Sequence, residues 1–216
     1  MARCIIVGNA DISSYERVKE AWQREESDYI IICDGGLKHV EGLNLTPNLL
    51  VGDFDSHENP HWPVETIELP RQKDDTDTVY ALKEGIRRGF REFICLGVIG
   101  NRLDHSLGNL YMLLYMKNHG CSGILIDDYS VMRLVGREEV SIPDSYAYFS
   151  LLNITGCAKG ITIQGAKYPL LDGEISSEYQ YGISNEVLLG ESAKVSVKEG
   201  ELLLIQVFPE VEGTNY

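Results

Sequence analysis

Acidic side chains follow three separate apolar runs along this chain. In chain order they lie at Asp34, at Asp53 and Asp55, and in the segment Gly97–Asp104. A single aspartate after a strand is most often a turn or capping residue. Ligands of open parallel sheets, however, bind at the carboxyl ends of the strands, so three acidic strand ends are expected to face one crevice. The pattern therefore favours a binding site over three unrelated turns.

Asp53 and Asp55 are spaced to hold a metal ion between them. In an extended segment, the side chains of residues two apart point to the same side. Mg²⁺ accepts one or two protein carboxylates and completes its shell with water and phosphate oxygens. Without such a cation, a triphosphate would be repelled by on the order of 4 kcal/mol for each like-charge pair about 4 Å apart at an effective dielectric near 20. The acidic crevice thus predicts Mg²⁺ and a phosphate-bearing substrate.

The segment Lys73–Asp77 (KDDTD) lies just before a predicted helix. The free amides of a helix N-terminus, together with a lysine and the Thr76 hydroxyl, suit a triphosphate, and Asp77 would complete the metal shell. For Asp75 alone, a plain helix-capping role is an equally good interpretation. The chain contains neither GxxxxGKS/T nor GxGxxG, so a phosphate site must use another scaffold.

The elements that position these residues are short and alternate in the first part of the chain. Strand-like runs are predicted at Cys4–Val7, Tyr29–Cys33, Asn48–Val51, Phe93–Leu96 and Gly123–Ile126. Helical patterns are predicted after Ser13, over Asp77–Arg88 and from about Ser106 to Asn118. Continuous apolar strands between amphipathic helices are typical of buried parallel sheets. Residues 1–128 are therefore predicted to form an α/β doubly wound parallel-sheet domain.

After Asp128 the pattern changes to short β-rich segments separated by turns that contain Gly, Pro and Asn. No convincing helical pattern remains in this part of the sequence. Strands at this spacing are typical of antiparallel sandwiches and barrels. We therefore predict an all-β sandwich domain over residues 129–216.

Composition narrows the class of protein. The 216 residues carry a net charge of −14, which argues against a general nucleic-acid binder, because phosphate backbones are held by a surplus of Lys and Arg. The five cysteines form no CxxC pair and favour a reduced compartment. No apolar run approaches the roughly 20 residues that span a bilayer, and the start Met1–Gly8 lacks a signal-peptide pattern. We expect a soluble cytoplasmic protein that binds neither nucleic acid nor membrane.

Five segments, taken in order, carry a family resemblance. They are DGG at Asp34–Gly36, GDFDS at 52–56, KDDTD at Lys73–Asp77, GNRLDH at 100–105 and GISNE at Gly182–Glu186. This set resembles the thiamine pyrophosphokinases over nearly the whole chain. The resemblance implies an α/β domain that binds ATP and Mg²⁺, followed by a β-sandwich for thiamine binding and dimerisation. It also implies transfer of the diphosphate of ATP to the hydroxyl of thiamine, with AMP leaving, by a homodimer that holds thiamine between its subunits.

The same resemblance assigns roles to individual residues. It makes Asp53, Asp55 and Asp77 the Mg²⁺ ligands. It puts Asp104 at the thiamine hydroxyl, where this carboxylate would orient the nucleophile or accept its proton, and these four aspartates form the expected catalytic set. The expected nucleotide and phosphate ligands are Asp34, Gly35, Gly36, Lys73, Asp74, Thr76 and Arg102. Ser184 and Asn185 would hydrogen-bond the aminopyrimidine of thiamine.

The aromatic partner of thiamine departs from the family pattern. Some members are expected to stack thiamine on a tryptophan of the sandwich, whereas Trp22 and Trp62 both lie in the first domain here. A cationic thiazolium favours an aromatic face. The candidates in the second domain are Tyr168, Tyr179 and Tyr181, and the sequence does not choose among them.

Other functions share parts of this pattern. A pyrophosphokinase for another hydroxymethyl heterocycle, such as a pterin, would use the same phosphate chemistry. A non-catalytic sensor would bind nucleotide and thiamine without turnover, although it has no need to retain three metal carboxylates. The tetrapeptide DFDS also resembles an element of haloacid-dehalogenase-like phosphatases, but the later lysine and acidic pair of that class have no convincing counterpart here. Incubation with ATP, Mg²⁺ and thiamine, followed by identification of the nucleotide product, would resolve most of these alternatives.

Overall fold

The computed structural model describes residues 2–55, 57–100 and 102–210. Ser56 and Asn101, which belong to two of the motifs above, lie outside the described residues. Two compact units are present, Met1–Asp128 and Tyr129–Tyr216. In the part of the chain that is described, no helix is long and apolar enough to cross a membrane.

The first unit is built on parallel strands. These are β1 (Cys4–Val7), β2 (Tyr29–Cys33), β3 (Leu49–Gly52), β4 (Glu65–Glu68), β5 (Glu92–Leu96) and β6 (Ser122–Ile126). Parallel pairing gives the order β6-β5-β1-β2-β3-β4. The chain proceeds from β1 to β4 on one side of β1 and then returns to β5 on the other side. The order therefore reverses between β1 and β5, and such a switch point is where open α/β sheets bind ligands.

The α-helices of this unit are α1 (Tyr15–Trp22), α2 (Asp77–Arg87), α3 (Leu103–Leu110) and α4 (Met112–Asn118), and a 3₁₀ helix spans Asp34–His39. The single helix predicted from about Ser106 to Asn118 is thus two helices, and the first begins earlier than expected. Helix α1 begins after Ser14, whose hydroxyl accepts from the Arg17 amide. The amides of Ser13 and Ser14 both donate to the carboxylate of Asp128, which ties the start of α1 to the end of this unit.

Burial explains which strands the sequence revealed. Every residue of β1 and of β3 is buried, as expected for strands whose two faces are both covered. Strand β4 was not predicted. It lies at the edge of the sheet order, and its sequence, ETIE, carries exposed glutamates at both ends instead of an apolar run.

The second unit is antiparallel. Its strands are β7 (Ser130–Val135), β8 (Val140–Pro143), β9 (Tyr148–Leu152), β10 (Cys157–Gln164), β11 (Leu170–Ser176), β12 (Gly182–Asn185), β13 (Ser192–Ser196) and β14 (Leu202–Val207). They pair in the orders β12-β9-β14-β7 and β11-β10-β13-β8. Both sets contribute to one core, which includes Phe149, Leu151, Ile161, Val195 and Leu204. The predicted order, parallel strands with helices followed by antiparallel strands, is confirmed.

Candidate active site

A cavity of about 590 Å³ lies at the carboxyl ends of the parallel strands. Segments that follow β1, β2, β3 and β5 contribute to its wall, together with the segment that leads into α2. Residues of these segments include Asn9, Gly35, Asp53, Lys73 and Gly97. The strand ends that the sequence singled out therefore border one cavity, at the end of the sheet where ligands of this kind of fold bind.

Three carboxylates form a compact group at this cavity. One oxygen from each of Asp34, Asp53 and Asp77 lies within 4.8 Å of the other two. Asp34 is only 2% exposed. It comes close to β3 because Gly52 has no side chain: a Cβ at Gly52 would lie 2.5 Å from the Cβ of Asp34. The backbone amide of His57 donates to Asp34 Oδ1 at 2.9 Å and holds this carboxylate in place.

Asp55 lines the cavity but lies outside this group. The expectation of an extended segment between Asp53 and Asp55 is wrong, because Phe54 has a φ of 52°, in the left-handed region. The alternation of side chains along an extended strand therefore does not apply here. The chain instead turns so that the Asp55 amide donates to Asp53 Oδ1 at 3.4 Å.

Lys73 joins two of the three carboxylates. Its ammonium lies 2.8 Å from Asp53 Oδ2 and 2.6 Å from Asp77 Oδ1. The hydrogen bond from Lys73 is the main cause that lowers the pKa of Asp53. Burial by itself would lower the pKa of Lys73, but its bonds to Asp53 and Asp77 raise it above the ordinary value. The ion pair therefore favours the charged forms of Asp53 and Lys73 in the absence of ligand.

The surroundings of Asp77 disfavour its ionised form. Burial raises its pKa, the nearby carboxylates of Asp53 and Asp34 raise it further, and Lys73 opposes both effects. Its Oδ1 is buried and, despite the nearby ammonium, accepts no hydrogen bond of ordinary geometry from a described residue. A side chain in this state gains more from a second cation than a fully paired carboxylate would.

The segment before α2 combines a cap with two further acidic side chains. Thr76 is the N-cap of α2, and its hydroxyl accepts from the Val79 amide at 3.4 Å. Asp74 is exposed and lines the cavity. Asp75 is bound to Lys83, with oxygens 2.6 and 2.8 Å from the ammonium, so its charge is already balanced.

Arg102 and Asp104 form a two-pronged ion pair. Arg102 Nη2 donates to Asp104 Oδ2 at 2.6 Å, and Nε donates to Oδ1 at 3.2 Å. Arg102 lines the cavity, whereas Asp104 does not. The hydrogen bonds from Arg102 lower the pKa of Asp104 to about 2. While the pair is intact, Asp104 is ionised and is a weak base.

The two glycines after Asp34 allow the backbone to pack closely against the end of β1. A Cβ at Gly35 would overlap the side chain of Asn9, and one at Gly36 would overlap the carbonyl of Val7. Only Gly35 lines the cavity. The glycines thus let the 3₁₀ helix at Asp34–His39 approach the end of β1 and carry Asp34 towards the other carboxylates.

Several cavity residues were not predicted from the sequence, among them Asn9, Arg71, Thr78 and Asn109. Asn9 follows β1, at the switch point, and the strand-end rule applied to Cys4–Val7 would have found it. Arg71 lies two residues before Lys73 and belongs to no motif. Of the cationic side chains that line the cavity, Lys73 and Arg102 are ion-paired, while Arg71 has no ion-pair partner among residues 2–55, 57–100 and 102–210.

Comparison with known proteins decides the family. The family model "Thiamin pyrophosphokinase, catalytic domain" matches residues 18–125, and "Thiamin pyrophosphokinase, vitamin B1 binding domain" matches residues 137–202. The chain belongs to the thiamin pyrophosphokinase family. It is therefore an enzyme, a kinase that pyrophosphorylates thiamine with ATP as co-substrate, and a pterin kinase or a non-catalytic sensor is not favoured.

Similar proteins cover nearly the whole chain. The thiamine pyrophosphokinase of Bacillus subtilis is 25% identical over 204 residues, 91% of each chain. A crystal structure of thiamine pyrophosphokinase from B. subtilis has a TM-score of 0.83 at 22% identity and covers 97% of this chain and 100% of that one. The structure from Geobacillus thermodenitrificans has a TM-score of 0.80 at 25% identity, with 97% and 99% covered. That from Candida albicans has a TM-score of 0.72 at 15% identity, with 96% and 89% covered.

Ser184 and Asn185 lie in the region that matches the vitamin B1 binding domain of the thiamin pyrophosphokinase family. Ser184 is exposed and has a φ of 57°. Asn185 is buried, and its side-chain amide is engaged with backbone: Oδ1 accepts from the amides of Tyr168 and Glu186, and Nδ2 donates to the Tyr168 carbonyl at 2.8 Å. The Ser184 side chain is thus accessible to solvent, while the Asn185 side chain holds the backbone at Tyr168.

The three candidate tyrosines of the second unit are all exposed. Tyr179 and Tyr181 have ring centroids 5.4 Å apart. The ammonium of Lys167 lies 5.7 Å from the ring centroid of Tyr168, so this ring already faces a cation. Trp22, by contrast, is buried and donates to Asp28 at 3.0 Å, which excludes it as a stacking partner.

Proposed function

We propose that the cavity of the first unit binds ATP with Mg²⁺ and that Asp53, Asp55 and Asp77 are the metal ligands, supported by Asp34. The observation that carries this proposal is the group of carboxylate oxygens from Asp34, Asp53 and Asp77 within 4.8 Å of one another. Hard oxygen donors beside an open cavity suit Mg²⁺, which shares its shell with phosphate. Asp77 Oδ1 is buried and accepts no ordinary hydrogen bond from the part of the chain that the structure describes, and a metal ion would satisfy it.

Cationic side chains would receive the phosphates. Lys73 and Arg102 are engaged with carboxylates, so their contribution requires an exchange of partners when ATP binds. Arg71 needs no such exchange and is the cavity cation most ready for a phosphate oxygen. Thr76, Asp74 and Gly35 line the cavity and complete the proposed nucleotide contacts, whereas Gly36, also expected from the sequence, does not line it. When bound, Mg²⁺ would neutralise phosphate charge and orient the reacting group.

The proposed reaction is an in-line displacement at the β-phosphorus of ATP. The hydroxyl oxygen of thiamine forms a bond to this phosphorus, and the bond from the phosphorus to the oxygen bridging to the α-phosphate breaks. AMP leaves with that oxygen, and the hydroxyl proton is released. Asp104, which stays ionised beside Arg102, is suited to accept a hydrogen bond from the hydroxyl and orient it.

The second unit is proposed to bind thiamine, with Ser184 and Asn185 as hydrogen-bond partners of the aminopyrimidine. We also propose that it forms a homodimer, as the family resemblance implies, through large apolar side chains that are exposed on this unit. These side chains include Tyr168, Leu171, Tyr179, Ile183 and Leu189. Sedimentation analysis tests this directly: Leu171→Asp together with Leu189→Asp should convert a dimer into a monomer, and a monomeric unsubstituted protein would contradict it.

The first unit is proposed to be a doubly wound catalytic domain, on the basis of its strand order, and the second a β-sandwich, on the basis of its shared core. A cytoplasmic location without nucleic-acid or membrane partners is supported by the five free cysteines and the net charge of −14.

Product analysis with controlled metal tests the proposed site. Protein stripped with a chelator is given thiamine and ATP, and Mg²⁺ is then added in steps. We expect no turnover before addition, and equal amounts of AMP and thiamine diphosphate afterwards. Stoichiometric ADP would exclude diphosphoryl transfer, and full activity of the stripped protein would exclude the metal site. A pterin that outcompetes thiamine would reverse the substrate assignment.

A further inference from the structure

A chain of side-chain hydrogen bonds connects the start of α2 with α3 and the end of β5. Asn109 Nδ2 donates to the carbonyl of Val98 at 2.7 Å, and the Thr78 hydroxyl donates to Asn109 Oδ1 at 3.0 Å. The hydroxyls of Thr78 and Thr76 are 3.1 Å apart. Thr78 and Asn109 are buried, yet both also line the cavity. We call these four residues the Thr78–Asn109 network.

The chemistry of these groups determines the direction of every bond. The Val98 carbonyl only accepts, so the Asn109 amide nitrogen must face it and the amide oxygen must face Thr78. Thr78 then uses its one proton on Asn109. The remaining contact is possible only if Thr76 donates to Thr78. Because Thr76 also accepts from the Val79 amide, its hydroxyl is used in both directions before any ligand binds.

The Thr78–Asn109 network lies at the switch point of the sheet. Val98 follows β5, and Gly8 follows β1. A Cβ at Gly8 would lie 2.6 Å from the Gly97 carbonyl and 3.1 Å from both the Thr78 methyl group and a Val98 methyl group. The Thr78 methyl group therefore lies close to Gly8, just after β1, while its hydroxyl is held by Asn109 of α3. No other hydrogen bond of Thr78 or Asn109 side chains is found among the described residues.

We propose that Thr78 and Asn109 are positioning residues for the reaction, which hold Thr76 and Asp77 in place for Mg²⁺ and ATP. Asp77 lies between Thr76 and Thr78 in sequence, so fixing both hydroxyls fixes the backbone that carries this carboxylate. In the absence of ligand the Thr76 hydroxyl caps α2 and donates its proton to Thr78, so its proposed contact with a phosphate oxygen requires an exchange of this partner. This inference rests on the proposed metal site, and different variants test the two.

Isosteric substitution separates positioning from simple packing. Thr78→Val keeps the shape but removes the hydroxyl, which leaves Asn109 Oδ1 without its donor. Thr78→Ser keeps the hydroxyl and loses only a methyl group. Asn109→Asp keeps the acceptor towards Thr78 but sets a carboxylate oxygen against the Val98 carbonyl. Thr66→Val is the matched control, because the Thr66 hydroxyl donates only locally, to the Val64 carbonyl at 3.3 Å, and does not line the cavity.

Two quantities are measured for each full-length variant: turnover as a function of Mg²⁺, and calorimetric binding of Mg²⁺ with an ATP analogue that has a methylene group between its α- and β-phosphorus atoms. Thr78→Val and Asn109→Asp should each lower kcat about tenfold and weaken binding of the metal–analogue pair by a similar factor, about 1.4 kcal/mol. Thr78→Ser should stay within about twofold of the unsubstituted protein. Thr66→Val should do the same.

A purely structural role makes a different prediction. In that case Thr78→Val would lower the free energy of unfolding but leave kcat and analogue binding unchanged, and the inference would be wrong. Thr78→Ser behaving like Thr78→Val would also overturn it, because the hydroxyl would then be irrelevant. Asp53→Asn serves as the reference for the metal site itself. If that variant binds the metal–analogue pair normally, the proposed metal site fails; if it binds weakly while Thr78→Val binds normally, only the positioning role fails.

Discussion

The Lys73 ammonium lies 2.6 Å from Asp77 Oδ1, so a cation that the proposed function assigns to ATP is occupied by a carboxylate in the absence of ligand. The pair reduces the repulsion among Asp34, Asp53 and Asp77. Binding of ATP with Mg²⁺ would let the metal replace Lys73 at the carboxylates and free Lys73 for phosphate. The same lysine would thus offset the negative charge of the cavity in the absence of ligand and bind phosphate when ATP and Mg²⁺ are present.

Neutralising a carboxylate of the proposed metal site should abolish most activity. We expect Asp53→Asn and Asp77→Asn each to lower kcat at least about a hundredfold, because charge neutralisation of the phosphates is lost. Mg²⁺ with the ATP analogue should raise the unfolding temperature of the unsubstituted protein but not of these variants. Asp172→Asn, which removes an exposed carboxylate paired with Lys198, is the control. Near-normal turnover of Asp53→Asn at saturating Mg²⁺ would refute the assignment.

Asp55 provides a finer test of the same site. It lines the cavity but is absent from the group formed by Asp34, Asp53 and Asp77. Steady-state kinetics of Asp34→Asn and Asp55→Asn side by side measures which carboxylate the metal requires. A large loss in Asp55→Asn alone would show that the loop around Phe54 rearranges on binding.

Arg71 should matter for ATP and not for thiamine. Because Arg71 lines the cavity and has no ion-pair partner among the described residues, we expect Arg71→Gln to raise the KM for ATP about tenfold, equivalent to about 1.4 kcal/mol, with kcat and the KM for thiamine little changed. Arg91→Gln, whose guanidinium contacts only backbone carbonyls outside the cavity, is the matched control. An unchanged KM for ATP in Arg71→Gln would remove Arg71 from the phosphate site.

Stability in acid should depend on Asp28. This buried carboxylate accepts from Arg3, from the Trp22 indole at 3.0 Å and from the Glu25 amide at 2.9 Å. Burial by itself would raise its pKa, but these hydrogen bonds lower it below the ordinary value. The stabilisation is therefore complete above the unfolded-state pKa of about 3.9 and is lost as the pH falls through the lower folded-state pKa.

Asp28→Asn should therefore lower the free energy of unfolding by about 3 kcal/mol at neutral pH and flatten its decline in acid. Urea denaturation at a series of pH values measures both effects. Glu16→Gln, which breaks an exposed pair with Lys19, should change the free energy of unfolding by less than about 1 kcal/mol. A pH dependence identical in the Asp28→Asn and unsubstituted proteins would contradict the prediction.

Substitutions of Ser184 and Asn185 should have different effects, because we expect Ser184 to contact thiamine and Asn185 to stabilise the fold. Ser184→Gly removes the hydroxyl and also relieves the left-handed backbone, so the KM for thiamine should rise several-fold, by about 1 kcal/mol, without loss of stability. Asn185→Ala breaks the bonds to Tyr168 and should lower the free energy of unfolding by about 2 kcal/mol. Thiamine kinetics and urea denaturation of both variants provide the measurements. Equal stability loss in the two variants would contradict this division.

Local sequence patterns were sufficient to predict much of the wall of the cavity. Apolar runs identified five of the six strands of the first unit, since a buried strand needs apolar side chains on both faces. The strand-end rule then brought Asp34, Asp53 and Gly97–Asp104 to the same edge. The N-terminus of α2 was equally accessible, because Thr76 caps it through a contact with Val79 only three residues away. Features that depend on neighbours along the chain are readable in this way.

Tertiary structure decided which of these side chains meet. Asp34 joins Asp53 because β2 and β3 pair with Cys33 opposite Val51 and because Gly52 leaves room for it. The left-handed backbone at Phe54, which separates Asp55 from the group, leaves no pattern in the side chains. Thr78 and Asn109 are 31 residues apart and meet only when α2 and α3 reach the same strand ends. Such contacts depend on strand register and backbone conformation across the whole unit, and a linear pattern carries neither.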